Sequence, residues 1–505
     1  TVTLAKNTGK GGVVYLSEED IINDLSQAYE FATVAEMTAS SIVFPVGKKL
    51  NTIVNNTTSN AGGASYVVSD TAVADGYGNH GIAGGRVADL VINENIKSSR
   101  LGLAGDGSDE TLILQACIDL GNTTGKRTII LEEGNFKSDT LYITEDSTKF
   151  IGREGGRPTA SEDAGTRISY IGGLGALFEV GVDDGLSWDD ALYNGVSGFS
   201  VDNINIYNES SLRVTPLNSR PESSYGIGTY GIRDWRGGHV YITKCTIEGF
   251  EYNFWGINSD FSNFTELTSL YSKYGLYVGP RSDQFILDGL YSFYCDTVMV
   301  VDKASTITLR EPRIVLCGST TDHTIKLYKG CSAITIDNPW LENYSGIIDC
   351  VPFIDVGGVD GYGGDATNVI GVKVSNPMIA VKTLGNEGQN AIFDITAGTM
   401  IEAENIIGAR GTSTSSNLEY IAEFVSGQSN SINHFTLKGL NSLKSKMFIN
   451  RGTGAPKTTF LGEADGVFLG SNTGRLSILD LDTTTPTGAE EVRIAQNNLA
   501  GRIAF

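Results

Sequence analysis

Between about Tyr225 and Val351 the sequence repeats itself loosely, and this repeat constrains the fold more than any other feature. Five segments align: HVYITKCTIEGF, NFTELTSLYSKY, QFILDGLYSFYC, TITLREPRIVLC and AITIDNPWLENY. Each opens with a short alternating apolar/polar run, bends, and resumes with a large apolar or aromatic residue. Taking Cys245, Leu270, Leu290, Pro312 and Pro339 as equivalent, the steps are 20 to 27 residues. A further apolar run follows each bend: Phe254 to Ile257, Leu276 to Val278, Val298 to Val301, Ile325 to Leu327, and Ile347 with Ile348.

A period of that length, built of short strands without helical patterning, is the signature of a β-solenoid. One rung is too small to bury its own apolar face, so rungs must stack. The alternation predicts that Ile242, Leu267, Leu287, Leu309 and Ile336 point inward. Thr243, Thr268, Asp288, Arg310 and Asp337 then form an outward column, one residue per rung. Strands of a β-sandwich alternate too, but this repeat lacks clear Asn-Gly or Asp-Gly hairpin turns.

Length agrees with growth in one dimension. At 505 residues the chain exceeds the ~250–300 at which one globular core stops growing. With 62 Gly and 11 Pro it reads as turn-rich and β-dominated, and no run of 18 apolar residues marks a membrane span. No signal peptide is expected, and a start at Thr1 without Met reads as a trimmed chain. A net charge of −22 argues against general nucleic-acid binding, which depends on Lys and Arg. Six cysteines without CxxC spacing read as buried and reduced. Four isolated histidines without HExxH speak against a zinc site, and neither metal nor cofactor is expected.

Residues 1–100 read as a small β domain or neck, with Ser17-Glu18-Glu19-Asp20 capping a short helix. Residues 101–127 read as a capping turn and helix. Gly105-Asp106-Gly107-Ser108 supplies the turn and N-cap, Asp109 and Glu110 the first-turn acids, and Ile113, Ala116, Cys117 and Leu120 the apolar face. Such a helix would plug the open end of a solenoid over 128–450. Residues 451–505 hold further β segments (Thr459–Leu461, Gly466–Leu469, Leu476–Leu481, Glu491–Ile494) and read as a trimerising or capping end. Insertions at 150–225, one carrying Trp188, are expected to line a groove.

The turn, the helix with Gln115-Ala116-Cys117-Ile118-Asp119, and the strand after it resemble the opening of the pectate-lyase-like superfamily. The preceding FATVAEMTASSIVFPVG…GGASYVV stretch resembles the small domain before the β-helix of bacteriophage tailspike proteins. The resemblance implies an all-β fold: a right-handed single-stranded parallel β-helix with a small N-terminal domain, in a homotrimer. It further implies a virion tail protein, joined to the tail or baseplate through a missing N-terminal part. Its partner would be a bacterial capsular or O-antigen polysaccharide, which it binds and usually cleaves. The superfamily's Ca²⁺-dependent lyase cluster, several Asp with a catalytic Arg, is not identifiable in this sequence.

Sugar polymers are held by aromatic faces and by hydrogen bonds from acids, amides and Arg. Within the repeat, Arg233, Trp235, Trp255, Arg310, Arg313 and Trp340 are the candidate binding residues. Glycoside hydrolysis needs two carboxylates, ~5 Å apart for retention and ~6.5–9.5 Å for inversion. Glu266 and Asp288 are the candidate catalytic pair, predicted roughly 8 Å apart from one rung step and a two-residue offset. Glu248 and Asp234 are second-choice acids, and Arg310 the electrostatic partner. The same acids also suit a solvated surface that discourages lateral association. Three functions stay open at this point: hydrolase, polysaccharide lyase, and non-catalytic receptor-binding fibre.

Overall fold

The computed structural model describes residues 5–7, 13–15, 27–55, 62–153, 165–182, 195–211, 225–318, 323–343, 353–358, 369–381, 391–396, 398–408, 420–424, 435–441, 446–450, 457–461, 469–470 and 475–478. The expected helix cap at Ser17, the insertion carrying Trp188, Cys350, the run at Ile347 and the segment at Glu491 lie outside these residues. The chain divides into two compact units.

In the first unit, a five-stranded sheet runs in the order Tyr29–Phe31, Lys49–Val54, Gly62–Ser69, Arg86–Leu90, Asn79–Ile82. The first pair is parallel and the rest antiparallel. Phe31, Leu50, Tyr66, Val68 and Ala88 are buried in it. The Thr33 hydroxyl caps a short helix, Val34–Ala39, by accepting from the Glu36 N–H at 3.0 Å.

A longer helix, Thr111–Thr124, starts later than the sequence suggests. Asp106–Asp109 stays extended because it pairs in parallel with Gly134–Ser138, and the Glu110 N–H continues that ladder to the Lys137 carbonyl at 2.8 Å. Glu110, not Ser108, is therefore the N-cap residue. Its carboxylate turns back to accept from the Ala104 and Gly105 N–H groups. Burial pushes that carboxyl's pKa up, and those hydrogen bonds oppose the shift. The buried face is Leu114, Cys117, Ile118 and Gly121, one position round from the predicted one. Gly121 explains the rotation, because a Cβ there would stand 3.3 Å from the Lys126 carbonyl.

The second unit contains most of the β-helix, whose rungs contribute to three faces. Strands of the first face form one parallel sheet: Leu141–Ile143, Gly175–Val180, Gly226–Trp235, Phe250–Ile257, Tyr274–Val278, Thr297–Val301, Ile325–Tyr328, Ile354–Gly358 and Ala391–Ile395, with three more beyond. The second face stacks Tyr241–Thr243, Asn263–Thr265, Asp283–Asp288, Ser305–Arg310, Ser332–Asp337 and Val369–Ser375 in parallel. The third stacks Thr246–Glu248, Thr268–Leu270, Tyr291–Phe293, Arg313–Val315, Trp340–Asn343 and Met378–Val381.

Register corrects one rung of the sequence alignment. The inward row of the second face is Ile242, Phe264, Leu287, Leu309, Ile336 and Val374. Phe264 therefore takes the place expected for Leu267, and Thr265 that expected for Thr268. Leu267 is the equivalent of Cys245 instead of Leu270, since the Thr268 N–H donates to Cys245 and the Tyr291 N–H to Leu267. Leu267 and Leu270 are both buried, so hydrophobicity alone could not fix the frame. Aromatic size decides it: the Phe264 ring lies 4.7 Å from those of Phe254 and Phe285.

Between the second and third faces one turn recurs. Asn203, Lys244, Glu266, Glu311, Asn338, Asn376 and Asn405 all have φ between 49° and 56°, and Gly289 has φ 70° at its own turn. From Asn203 to Asn376, each turn N–H donates to a carbonyl of the following rung. At the later turns the amides stack, Asn376 Nδ2 donating to Asn338 Oδ1 and Asn405 Nδ2 to Asn376 Oδ1, both at 3.0 Å. Asn accepts this left-handed conformation more readily than most residues. Among the described residues five cysteines are buried and outside any disulfide. No described helix is long and apolar enough to cross a membrane.

Candidate functional site

The sequence-derived site residues do not converge, because each bend sends neighbours onto different faces. Glu266 and Asp288 are both exposed, and Glu266 occupies the left-handed turn column. Register pairs Asp288 with Thr265, so Glu266 is offset by one residue rather than the predicted two. Arg310 stands beside Asp288 on the next rung and is exposed, with no ion pair between them. Glu248 is buried on the third face, and Asp234 is wholly buried in the first-face strand Gly226–Trp235. Asp234 accepts from the Gly237 N–H at 3.1 Å, and desolvation raises its pKa well above the usual carboxylate range. It is a buried turn-holding group.

Arg233, Trp235 and Trp255 do come together, on the outer surface of the first face. Arg233 grips Glu179 with two nitrogens, Nε at 2.9 Å from Oε1 and Nη2 at 2.7 Å from Oε2, and the Trp235 indole also donates to Glu179. Tyr230, Tyr252 and Tyr274 stack in sequence with centroids 5.1 and 4.7 Å apart. Trp255 and Tyr277 stack beside them at 6.0 Å. Trp255 is only 7 % exposed, since Trp235, Tyr230 and Tyr277 cover its ring. The strip is thus a packed wall with Tyr and Trp edges at its surface.

One outward column runs along this face through eight successive rungs: Glu179, Arg233, Trp255, Tyr277, Val300, Lys326, Asp355 and Asp394. Its later part is polar and largely buried. Asp355 and Asp394 are register partners on adjacent strands, which sets their backbones ~4.8 Å apart. His323 Nε2 lies 3.2 Å from Asp394 Oδ2, while Asp394 Oδ1 is buried and accepts no hydrogen bond. Burial raises the Asp355 carboxyl to about 6, with the Asp394 charge adding to the rise and His323 and Lys326 opposing it. Lys326 and Asp355 are each 9 % exposed.

Two carboxylates at rung spacing, a histidine and a lysine thus lie close together on this face. Proton donation and attack at a polarised carbon are both within its reach. Sequence reasoning missed all four residues. Lys326 was legible within a rung, but Asp355 and Asp394 follow it at intervals longer than the regular repeat.

On the third face, Trp340 is 36 % exposed and its indole donates to Glu342 Oε2 at 2.9 Å. Arg313 lies 5.7 Å from the ring centroids of both Tyr291 and Trp340.

No protein-family model matches the sequence, and no curated protein matches it. Solved structures do resemble it. DFA-IIIase from Arthrobacter chlorophenolicus A6, in complex with GF2, aligns over 73 % of this chain and 94 % of its own, at 10 % identity and a TM-score of 0.52. The tailspike protein gp49 of Acinetobacter baumannii bacteriophage Fri1, a capsular polysaccharide depolymerase, aligns over 86 % of this chain and 75 % of its own, at 14 % identity and a TM-score of 0.49. The full-length tailspike protein 2 of Escherichia coli O157:H7 bacteriophage CAB120 aligns over 91 % of this chain at 12 % identity and a TM-score of 0.50. This chain spans 57 % of that protein's length. At these identities the likeness is one of fold, and the fold is the parallel β-helix seen in phage tailspike proteins.

Proposed function

We propose that this chain is a phage tailspike that binds bacterial surface polysaccharide and hydrolyses its glycosidic bonds at Asp355 and Asp394. One observation carries the reading: two carboxyl groups on neighbouring rungs, one of them raised to about 6 by burial. A carboxyl that keeps its proton up to about pH 6 suits a general acid, and its rung neighbour suits a nucleophile at the ~5 Å spacing of retaining enzymes. Asp355 would protonate the leaving glycosidic oxygen while Asp394, positioned by His323, forms a bond to the anomeric carbon. Water then attacks that carbon, gives its proton to Asp355, and releases Asp394.

The virion tail is the location this reading implies, with a homotrimer as its assembly; sedimentation at the 53.8 kDa chain mass would count against the trimer. A lyase is the second reading, favoured by the basic groups His323 and Lys326 beside the pair. To test both, the protein is incubated with a panel of purified capsular and O-antigen polysaccharides. New reducing ends without ultraviolet absorbance support hydrolysis. Products absorbing as unsaturated uronates overturn it in favour of elimination. A polymer bound but never shortened leaves a non-catalytic fibre.

A further inference from the structure

Third-face residues Tyr291, Arg313 and Trp340 occupy one register column on three successive rungs. This column does not belong to the first-face sheet that carries Asp355 and Asp394. The Arg313 side chain is 59 % exposed, and its guanidinium sits between the two rings, 3.9 Å from Glu342. Glu342 also fixes the Trp340 indole N–H, so the exposed ring is held in one orientation by a hydrogen bond. Val315 and Ala380 are the register neighbours of Glu342, so no second acid stacks against it.

We propose that Tyr291, Arg313, Trp340 and Glu342 form a second glycan-binding site that holds polysaccharide without cleaving it. A fixed aromatic face packs against the C–H face of a pyranose ring, and the flanking Arg and Glu hydrogen-bond its hydroxyl groups. With no carboxylate in register beside Glu342, the described residues of the site offer no acid–nucleophile couple. A second copy of the chain is the other occupant to weigh. Glu342 disfavours it, since Glu is depleted at protein–protein interfaces, whereas Tyr, Trp and Arg suit either occupant. The inference rests on the polysaccharide reading above and adds a second point of attachment, which would keep the polymer engaged between cuts.

The test uses Trp340→Ala and Arg313→Gln, alone and combined with Asp394→Asn. The probes are the polysaccharide that the parental protein digests and the short fragments it releases. Expected are unchanged rates on fragments and retention on immobilised polymer weakened by about tenfold or more. Unchanged retention overturns the proposal and leaves the hydrolase standing. A change in sedimentation mass with polymer retention intact also overturns it, assigning the patch to an interface between copies. Should no polymer in the panel be digested, the hydrolase reading fails. Retention of an undigested polymer that Trp340→Ala abolishes would then still support the second site, and a panel in which nothing is retained would overturn it too.

Discussion

Asp355 and Asp394 are partners across one step of the first-face ladder, although 38 residues separate them in the chain. Their proximity is a product of parallel stacking, which brings the same outward position of successive rungs to ~4.8 Å.

If this pair carries the chemistry, Asp394→Asn and Asp355→Asn should each lower depolymerisation by about 10²-fold or more while polymer binding persists. Glu266→Gln and Asp288→Asn, on an exposed turn and an exposed strand end, should leave the rate within about twofold. Reducing-end assays on the four proteins decide between the two pairs, and the opposite ranking would restore the second-face acids.

Asp355 also sets an expected pH dependence. Its folded carboxyl is raised to about 6 from 3.8, so the folded state holds a proton that the unfolded chain releases between these values. The sign follows: this group's contribution to stability falls as pH climbs from about 4 to about 6, and above that its cost is complete, on the order of 3 kcal/mol. Asp355→Asn should therefore raise Tm at pH 7.5 relative to the parent, by more than at pH 4. Hydrolysis should also decline as pH rises past about 6, as the acid loses its proton. Flat activity between pH 5 and 8 would remove Asp355 from the acid role.

The corrected register is open to a direct contrast. Phe264 is fully buried and Thr265 faces outward. Phe264→Asp, like Leu309→Asp or Ile336→Asp, places an unpaired charge in the core at a cost of several kcal/mol and should abolish soluble assembly. Thr265→Asp should fold normally. Far-ultraviolet circular dichroism and sedimentation of the soluble fraction report the difference, and a folded Phe264→Asp would mean that the rung had been framed wrongly.

At the turn column, Glu311 has φ 49° where later rungs carry Asn. Replacing Glu311 with Asn or Gly removes part of the left-handed penalty and should stabilise the protein by about 0.5–1 kcal/mol. Chemical unfolding midpoints measure this, and a loss of stability in both variants would show that the Glu311 side chain is holding the turn.

The solenoid was legible in the sequence because burial in a rung repeats with the rung. Ile242, Leu287, Leu309 and Ile336 each follow the same alternation, and stacking is the arrangement that covers all of them. Cys245, Leu290, Pro312 and Pro339 kept the frame through their bends, whereas the rung holding Phe264, Leu267 and Leu270 offered three apolar residues for one position. The site was a different matter. Glu266 and Asp288 are conspicuous in a regular stretch, but conspicuous residues there face solvent by the same alternation that buries their neighbours. Lys326, Asp355 and Asp394 share a column only after long and unequal intervals, and a linear pattern cannot count across these. Composition and periodicity are properties of each rung, so they determined the fold. Which outward residues meet depends on how many residues lie between rungs, and that was decided by the register of the folded stack.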